Sequence, residues 1–98
     1  MKTLLLPVLL VTGMVTAQAD QALATKNNCM ACHAVDKKVV GPAYRDVAKK
    51  YAGTSADVLA ASIRKGGVGK WGQIPMPPQA QLSEADSKKL ATWIMGIK

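Results

Sequence analysis

Apolar positions fall into one unbroken run and several spaced stripes. The run, Leu4 to Val15, holds Pro7 and Gly13, follows Lys2, and is followed by Ala17-Gln18-Ala19. A positive start, a short apolar stretch and small residues at a cut site predict a secretory signal over residues 1–19, removed after Ala19. A membrane anchor is the competing reading, but a span needs about 20 apolar residues and this run is shorter.

Residues 20–98 are then expected to form a single domain, in which the spacing predicts four helices, with no alternating strand pattern and no repeat. The first covers about Asp20 to Asn28, with an acid at its positive end, and leads directly into Cys29. The second uses Gly41 as cap and Pro42 as first residue, carries Tyr44, Val47, Ala48 and Tyr51 on one face, and stops at Gly53. The third opens at Thr54 or Ser55, places Val58, Leu59 and Ile63 on one side, and ends at Gly66-Gly67. The fourth opens on Ser83-Glu84-Ala85-Asp86, a capping-box variant, and aligns Leu90, Trp93, Ile94 and Ile97. The class is all-α.

One stretch fits no helix. Gly66 to Gln81 is rich in Gly, Pro and Gln around an apolar island, Trp71-Gly72-Gln73-Ile74-Pro75-Met76-Pro77-Pro78. Prolines on both sides fix φ and remove backbone donors, which holds Met76 on an extended, stiff segment. A loop this long in so small a domain is functional or disordered, and its Trp, Ile and Met argue against disorder.

Composition sharpens the picture. The chain has no Phe and only two Trp and two Tyr, so its own large core residues are few. A domain of this size usually needs a staple, and a flat apolar cofactor would supply the missing core. The net charge is +7, of which only Lys2 leaves with the signal. Such a surface favours acidic partners, nucleic acid or anionic membrane. Export, and the lack of interleaved aromatic and basic residues, make nucleic acid the weakest of these.

The chemistry concentrates in Cys29-Met30-Ala31-Cys32-His33. On a helical turn, residues i, i+3 and i+4 share a face, so both thiols and the imidazole can address one flat ligand. Two thiols adding to the vinyl groups of a haem leave the adjacent imidazole under the iron, which makes this a haem c attachment signal with His33 as iron ligand. A thiol redox pair normally sits in a βαβ context that the pattern lacks. A disulfide between Cys29 and Cys32 would close a very small loop. Zinc would find one ligand too few.

His33 is the only histidine, so a sixth ligand within the chain is expected to be methionine. Met1 and Met14 leave with the signal, and Met30 lies within the attachment turn. Met95 adjoins the stripe of the last helix, where it serves as adaptable filler. Met76, on its stiffened loop, is favoured. Around these, Pro42 either lends its carbonyl to the imidazole or simply starts a helix, and Trp71 either donates its indole N–H to a haem propionate or belongs to the core.

Taken together, these residues resemble the short monohaem class I cytochromes c of the bacterial periplasm, electron carriers to nitrite reductases and terminal oxidases. The resemblance rests on Cys29 to His33, Val40-Gly41-Pro42-Ala43-Tyr44, Trp71 to Pro78 and Trp93-Ile94. It implies a class I fold of about four helices around one covalent haem c, with the first and last helices crossing. It also implies that His33 donates to the Pro42 carbonyl, that Met76 binds iron, and that Trp71 reaches a propionate. Four positions depart from the pattern: Ala24 where relatives often have an aromatic, Gln79 in place of Asn, Ser62 where some carry Arg, and Lys70 in place of an apolar neighbour of the Trp.

With both axial positions filled, no site is open to substrate. The expected function is therefore one-electron transfer by a periplasmic monomer between membrane cytochrome complexes and terminal reductases or oxidases. The alternative is a five-coordinate haem enzyme of peroxidase type or a gas sensor, which requires that Met76 not bind; it would lack a distal histidine. The basic pairs Lys37-Lys38, Lys49-Lys50, Arg64-Lys65 and Lys88-Lys89 either steer an acidic redox partner or are plain solvated helix faces.

Overall fold

The computed structural model describes the backbone from Val15 and side chains from Asp20 to Lys98. The cleavage signal expected over residues 1–19 thus falls largely outside the described residues. Four α-helices follow in order, α1 (Val15–Lys26), α2 (Tyr44–Lys50), α3 (Ala56–Lys65) and α4 (Glu84–Met95), with a 3₁₀ turn at Cys29–Ala31. Among the described residues there are no strands, only two isolated antiparallel bridges, His33 with Lys38 and Gly67 with Met76. No described helix is long and apolar enough to cross a membrane.

The last helix is the hub, because α1, α2 and α3 each pack against it. Ser83 caps it as the sequence predicts: its hydroxyl accepts the Asp86 N–H at 3.0 Å. Leu90, Ala91 and Ile94 form its buried stripe, and Trp93, at the edge of that stripe, meets Tyr44 edge-on with ring centroids 5.5 Å apart. The expected pairing of the first and last helices is present. Ala24 on α1 and Ala91 on α4 are both fully buried, small side chains at the positions where bulk would hold helices apart. Ser87, buried within α4, returns its hydroxyl to the Glu84 carbonyl at 2.9 Å and so leaves no orphaned donor.

Three boundaries differ from the sequence reading. The first helix begins by Val15 rather than at Asp20, and it does not run into Cys29: Asn28 takes a left-handed backbone (φ 64°) and turns the chain into the 3₁₀ segment. The second helix starts at Tyr44, two residues after the proline expected to open it. The reason is tertiary, since the Tyr44 and Arg45 amides bond the Ala34 and Val35 carbonyls and the Pro42 carbonyl faces His33. In α3 the buried face is Leu59, Ala60 and Ile63, while Val58 is 50% exposed. At about 100° per residue, Val58 lies on the far side of Leu59 from Ala60, outside that face.

Two surface ion pairs join α3 to α4, Lys88 to Asp57 at 3.3 Å and Arg64 to Glu84 at 3.8 Å. Exposed pairs of this kind contribute at most about 1 kcal/mol each. They also take one member from each of two basic pairs, which leaves Lys37-Lys38 and Lys49-Lys50 as the basic pairs with no carboxylate partner among the described residues.

Candidate functional site

A cavity of about 410 Å³ opens between the attachment turn, α2, α3, α4 and the loop from Gly66 to Pro77. Val47, Leu59, Ile63, Leu90 and Ile94 give it an apolar floor, and Cys29, Cys32, His33, Pro42, Trp71 and Met76 all line it. The size and the mixture of apolar lining with a few convergent polar groups suit a small-molecule or cofactor site. A shallower concavity beside Gln21, Ala22, Thr25 and Lys26 is open along one face of α1 and gathers no such groups.

The attachment turn is a 3₁₀ segment, not the α-helical turn expected, and the change helps. With about three residues per turn, positions i and i+3 eclipse, which aligns Cys29 and Cys32. Both are free thiols, Cys29 half-buried and Cys32 exposed. Burial pushes the Cys29 thiol above its ordinary range, against the lowering influence of Tyr44 and a backbone hydrogen bond. A redox-active Cys-x-x-Cys pair needs the opposite, a thiol made acidic by its surroundings. Among the described residues no three His, Cys, Asp or Glu side chains are placed to hold one metal ion, so the motif does not close on zinc.

His33 is held from three sides. Its Nδ1 lies 2.8 Å from the Pro42 carbonyl oxygen, which can only accept, so Nδ1 is the donor, and in the neutral tautomer that fits this bond Nε2 has the lone pair. Tyr44 stacks on the ring at 5.0 Å between centroids, 19° from parallel. Gly41 passes against it so closely that a Cβ there would sit 2.5 Å from Cε1 and 2.9 Å from Nδ1. The Val40 and Gly41 amides, bonded to the Cys32 carbonyl at 3.1 and 2.7 Å, fix this close passage. Burial, with the two cysteines nearby, raises Tyr44 well above the usual tyrosine range, and the phenol stays neutral.

Of the three methionines among the described side chains, only Met76 lines the cavity; Met30 and Met95 pack as partly buried fillers against the core. Prolines alone do not hold Met76. Gly67 and Met76 exchange both backbone hydrogen bonds, at 3.0 and 2.8 Å, pinning the segment to the end of α3. Gly66 makes this approach possible: its φ is 68°, and a Cβ there would collide with the Met76 carbonyl oxygen and lie 2.8 Å from backbone atoms of Pro77 and Pro78. Gln79, one of the four departures, turns away from the cavity and donates to the Pro77 carbonyl at 3.0 Å. Trp71 is 39% exposed at the cavity edge, with the Lys50 ammonium 5.3 Å from its ring centre.

Sequence reasoning missed Ser62, Tyr51 and Lys70 as a unit. All three line the cavity and are joined by hydrogen bonds, Lys70 Nζ to the Tyr51 hydroxyl at 2.8 Å and Tyr51 to Ser62 Oγ at 3.3 Å. The polar residue Ser62 on the inner side of α3 was the one available signal.

A family profile described as Cytochrome c matches residues 17–98. Cytochrome c-552 of Nitrosomonas europaea is 56% identical over 92 residues, covering 92% of this chain and 87% of that protein. Cytochrome c-551 of Allochromatium vinosum is 54% identical over 84 residues, 84% of this chain and 89% of that one. The crystal structure of wild-type Nitrosomonas europaea cytochrome c552 superposes with a TM-score of 0.77 at 55% identity, over 80% of this chain and 99% of the other.

Proposed function

The chain belongs to the cytochrome c family, and on that premise we propose that Cys29 and Cys32 attach one haem c, that His33 and Met76 are its axial ligands, and that Pro42 and Trp71 support it. The protein is an electron-transfer protein with a covalent haem c, not an enzyme. The observation that carries the ligand assignment is that both cysteines, the only histidine and Met76 line one apolar cavity. The lining fits the group: a flat apolar ring suits the floor of Leu59, Ile63, Leu90 and Ile94, and the two charged residues of the lining, Lys38 and Lys70, are cations suited to its carboxylates.

When bound, the haem supplies one-electron exchange between ferrous and ferric iron. The chain's own work is to hold, orient and exclude. Thioether links from Cys29 and Cys32 would prevent loss of the group. The Pro42 carbonyl, by accepting the hydrogen bond from Nδ1–H, favours the His33 tautomer whose Nε2 could ligate, and Tyr44 and Gly41 fix the ring plane. Met76 would offer its thioether to the iron, a ligand type that favours the ferrous state and raises the potential. The apolar floor keeps water out, with the same effect on potential.

The ferric protein is expected to show a methionine–iron charge-transfer band and to bind added cyanide or imidazole sluggishly. A high-spin ferric spectrum that shifts at once on adding ligand would instead establish an open iron and overturn the assignment of Met76.

An electron carrier implies redox partners. We infer that these present acidic docking surfaces, as a nitrite reductase, a terminal oxidase or a membrane cytochrome complex could, and that the carrier works as a periplasmic monomer exported by residues 1–19. Support comes from the strongly positive net charge, of which only Lys2 leaves with the signal, and from the grouping of Lys38, Lys50 and Lys70 beside the cavity or its Trp71 edge. Electron transfer to such a partner should slow steeply as salt rises from about 0.01 to 0.15 M, where the screening length falls from about 30 to 8 Å. A stopped-flow rate flat across that range would remove the steering role.

A further inference from the structure

The cluster of Lys70, Tyr51 and Ser62 is rich in donors and lacks an anion. Lys70 spends one of three N–H groups on Tyr51, leaving two. Tyr51 and Ser62 have one O–H each and share a single hydrogen bond, so one of these protons is also free for another acceptor. No carboxylate side chain lines the cavity, and Lys70 forms no ion pair among the described residues.

The cluster is also built, not incidental. Lys70 comes from the loop that carries Met76 and reaches back over the ring of Tyr51, 5.1 Å from its centre, while Lys50 at the end of α2 reaches the opposite way over Trp71. The two lysines strap loop and helix together at the cavity mouth. Tyr51 is 6% exposed, so its hydroxyl has a fixed position. Burial alone would raise the Tyr51 phenol, but the bonds to Lys70 and Ser62 and the charges of Lys70 and Lys50 outweigh burial and bring it below the usual range. A site that stabilises negative charge on its own phenol oxygen will stabilise an added carboxylate too.

We propose that Lys70, Tyr51 and Ser62 form a carboxylate-binding site at the cavity mouth, and that its occupant is one propionate of the bound haem. The assignment rests on the haem reading above. It gives Ser62 and Lys70 a joint role: the cation arrives from the loop and not from α3, and Tyr51 links it to the small hydroxyl that α3 provides. Lys70 is thereby a positioning residue that couples the Met76 loop to the charge state of the haem edge.

The charged groups facing this carboxylate are Lys70 and Lys50, with Lys38 the other charged residue of the lining. Cations hold the carboxylate ionised and its pKa down. Ionised, it favours ferric iron, so protonation raises the potential, and the potential should climb as pH falls through the propionate pKa. In Lys70→Gln that pKa is expected to rise by about one unit, a tenfold weaker acid. Tyr51→Phe should shift it less and in the same direction, and Lys70→Arg should restore it. The experiment is a pH titration of the haem-methyl NMR shifts and the midpoint potential of the intact holoproteins.

A propionate pKa that is the same in wild type and Lys70→Gln, with the methionine–iron band present in both, overturns this site and leaves the ligand assignment standing. A wild-type protein that holds no covalent haem overturns both. Lys70 is exposed and Tyr51→Phe keeps the buried ring, so neither change needs the fold to give way.

Discussion

Met76→Ala is expected to abolish the methionine–iron charge-transfer band and open the iron to cyanide and imidazole, raising their apparent affinity by about 100-fold or more. In the parent protein an added ligand binds only the small fraction of molecules whose sulfur has let go, and its apparent affinity falls by that fraction. Removing the sulfur removes the competition. The midpoint potential should drop as well, because the thioether is the ligand that favours ferrous iron. The comparison that gives this meaning is Met95→Leu. Met95 packs on the core outside the cavity, so its substitution should leave spectrum and ligand binding unchanged. If the band survives in Met76→Ala, the axial assignment fails.

Among the described glycines, Gly66→Ala should be the most damaging, since it alone combines a positive φ with a Cβ that would strike backbone. At φ 68° and ψ −164° this position lies in a region that only glycine adopts readily. The atoms a Cβ would meet belong to the Met76, Pro77 and Pro78 backbone, which cannot rotate aside as a side chain can. Overpacking and backbone strain together are expected to cost about 2–4 kcal/mol. Since the same contact pins Met76, the charge-transfer band should weaken along with the denaturation midpoint. Gly53→Ala is the control. It also has positive φ, 83°, but nothing lies within 4 Å, so it should lose only the smaller conformational share and keep its spectrum. Equal losses in the two variants would show that the contact with the Met76 segment carries no weight.

Much of the site is legible in the sequence because the groups that define it are local. Cys29 and Cys32 are three apart, a spacing that aligns them in either an α or a 3₁₀ turn, and the adjacent His33 lines the same cavity. Ser83 announces the start of α4 for the same reason: the cap bond reaches only to Asp86. Met76 stands out because prolines restrict its neighbours without help from the rest of the fold. Val58 shows where locality misleads. An apolar residue beside Leu59 looks like part of its stripe, but the face of α3 that meets α4 is chosen by packing, and it runs through Ala60 instead.

Other features were decided at longer range. The residues alone leave open whether Pro42 lends its carbonyl to His33 or simply starts a helix, because the helix start at Tyr44 depends on amides bonded to Ala34 and Val35. Nor do they show that Lys70 meets Tyr51, since the contact requires the loop to fold back over the end of α2.

By itself, then, the sequence determined the helical class, the attachment motif, the only available histidine and the favoured methionine, because each depends on residue type and short spacing. The tertiary structure alone decided how those groups are held: Gly41 pressed on His33, Gly67 paired with Met76, and Lys70 strapped to Tyr51. Each of these contacts joins residues eight or more positions apart, beyond the reach of spacing rules within one turn, and all of them border the cavity that α2, α3, α4 and the Met76 loop enclose.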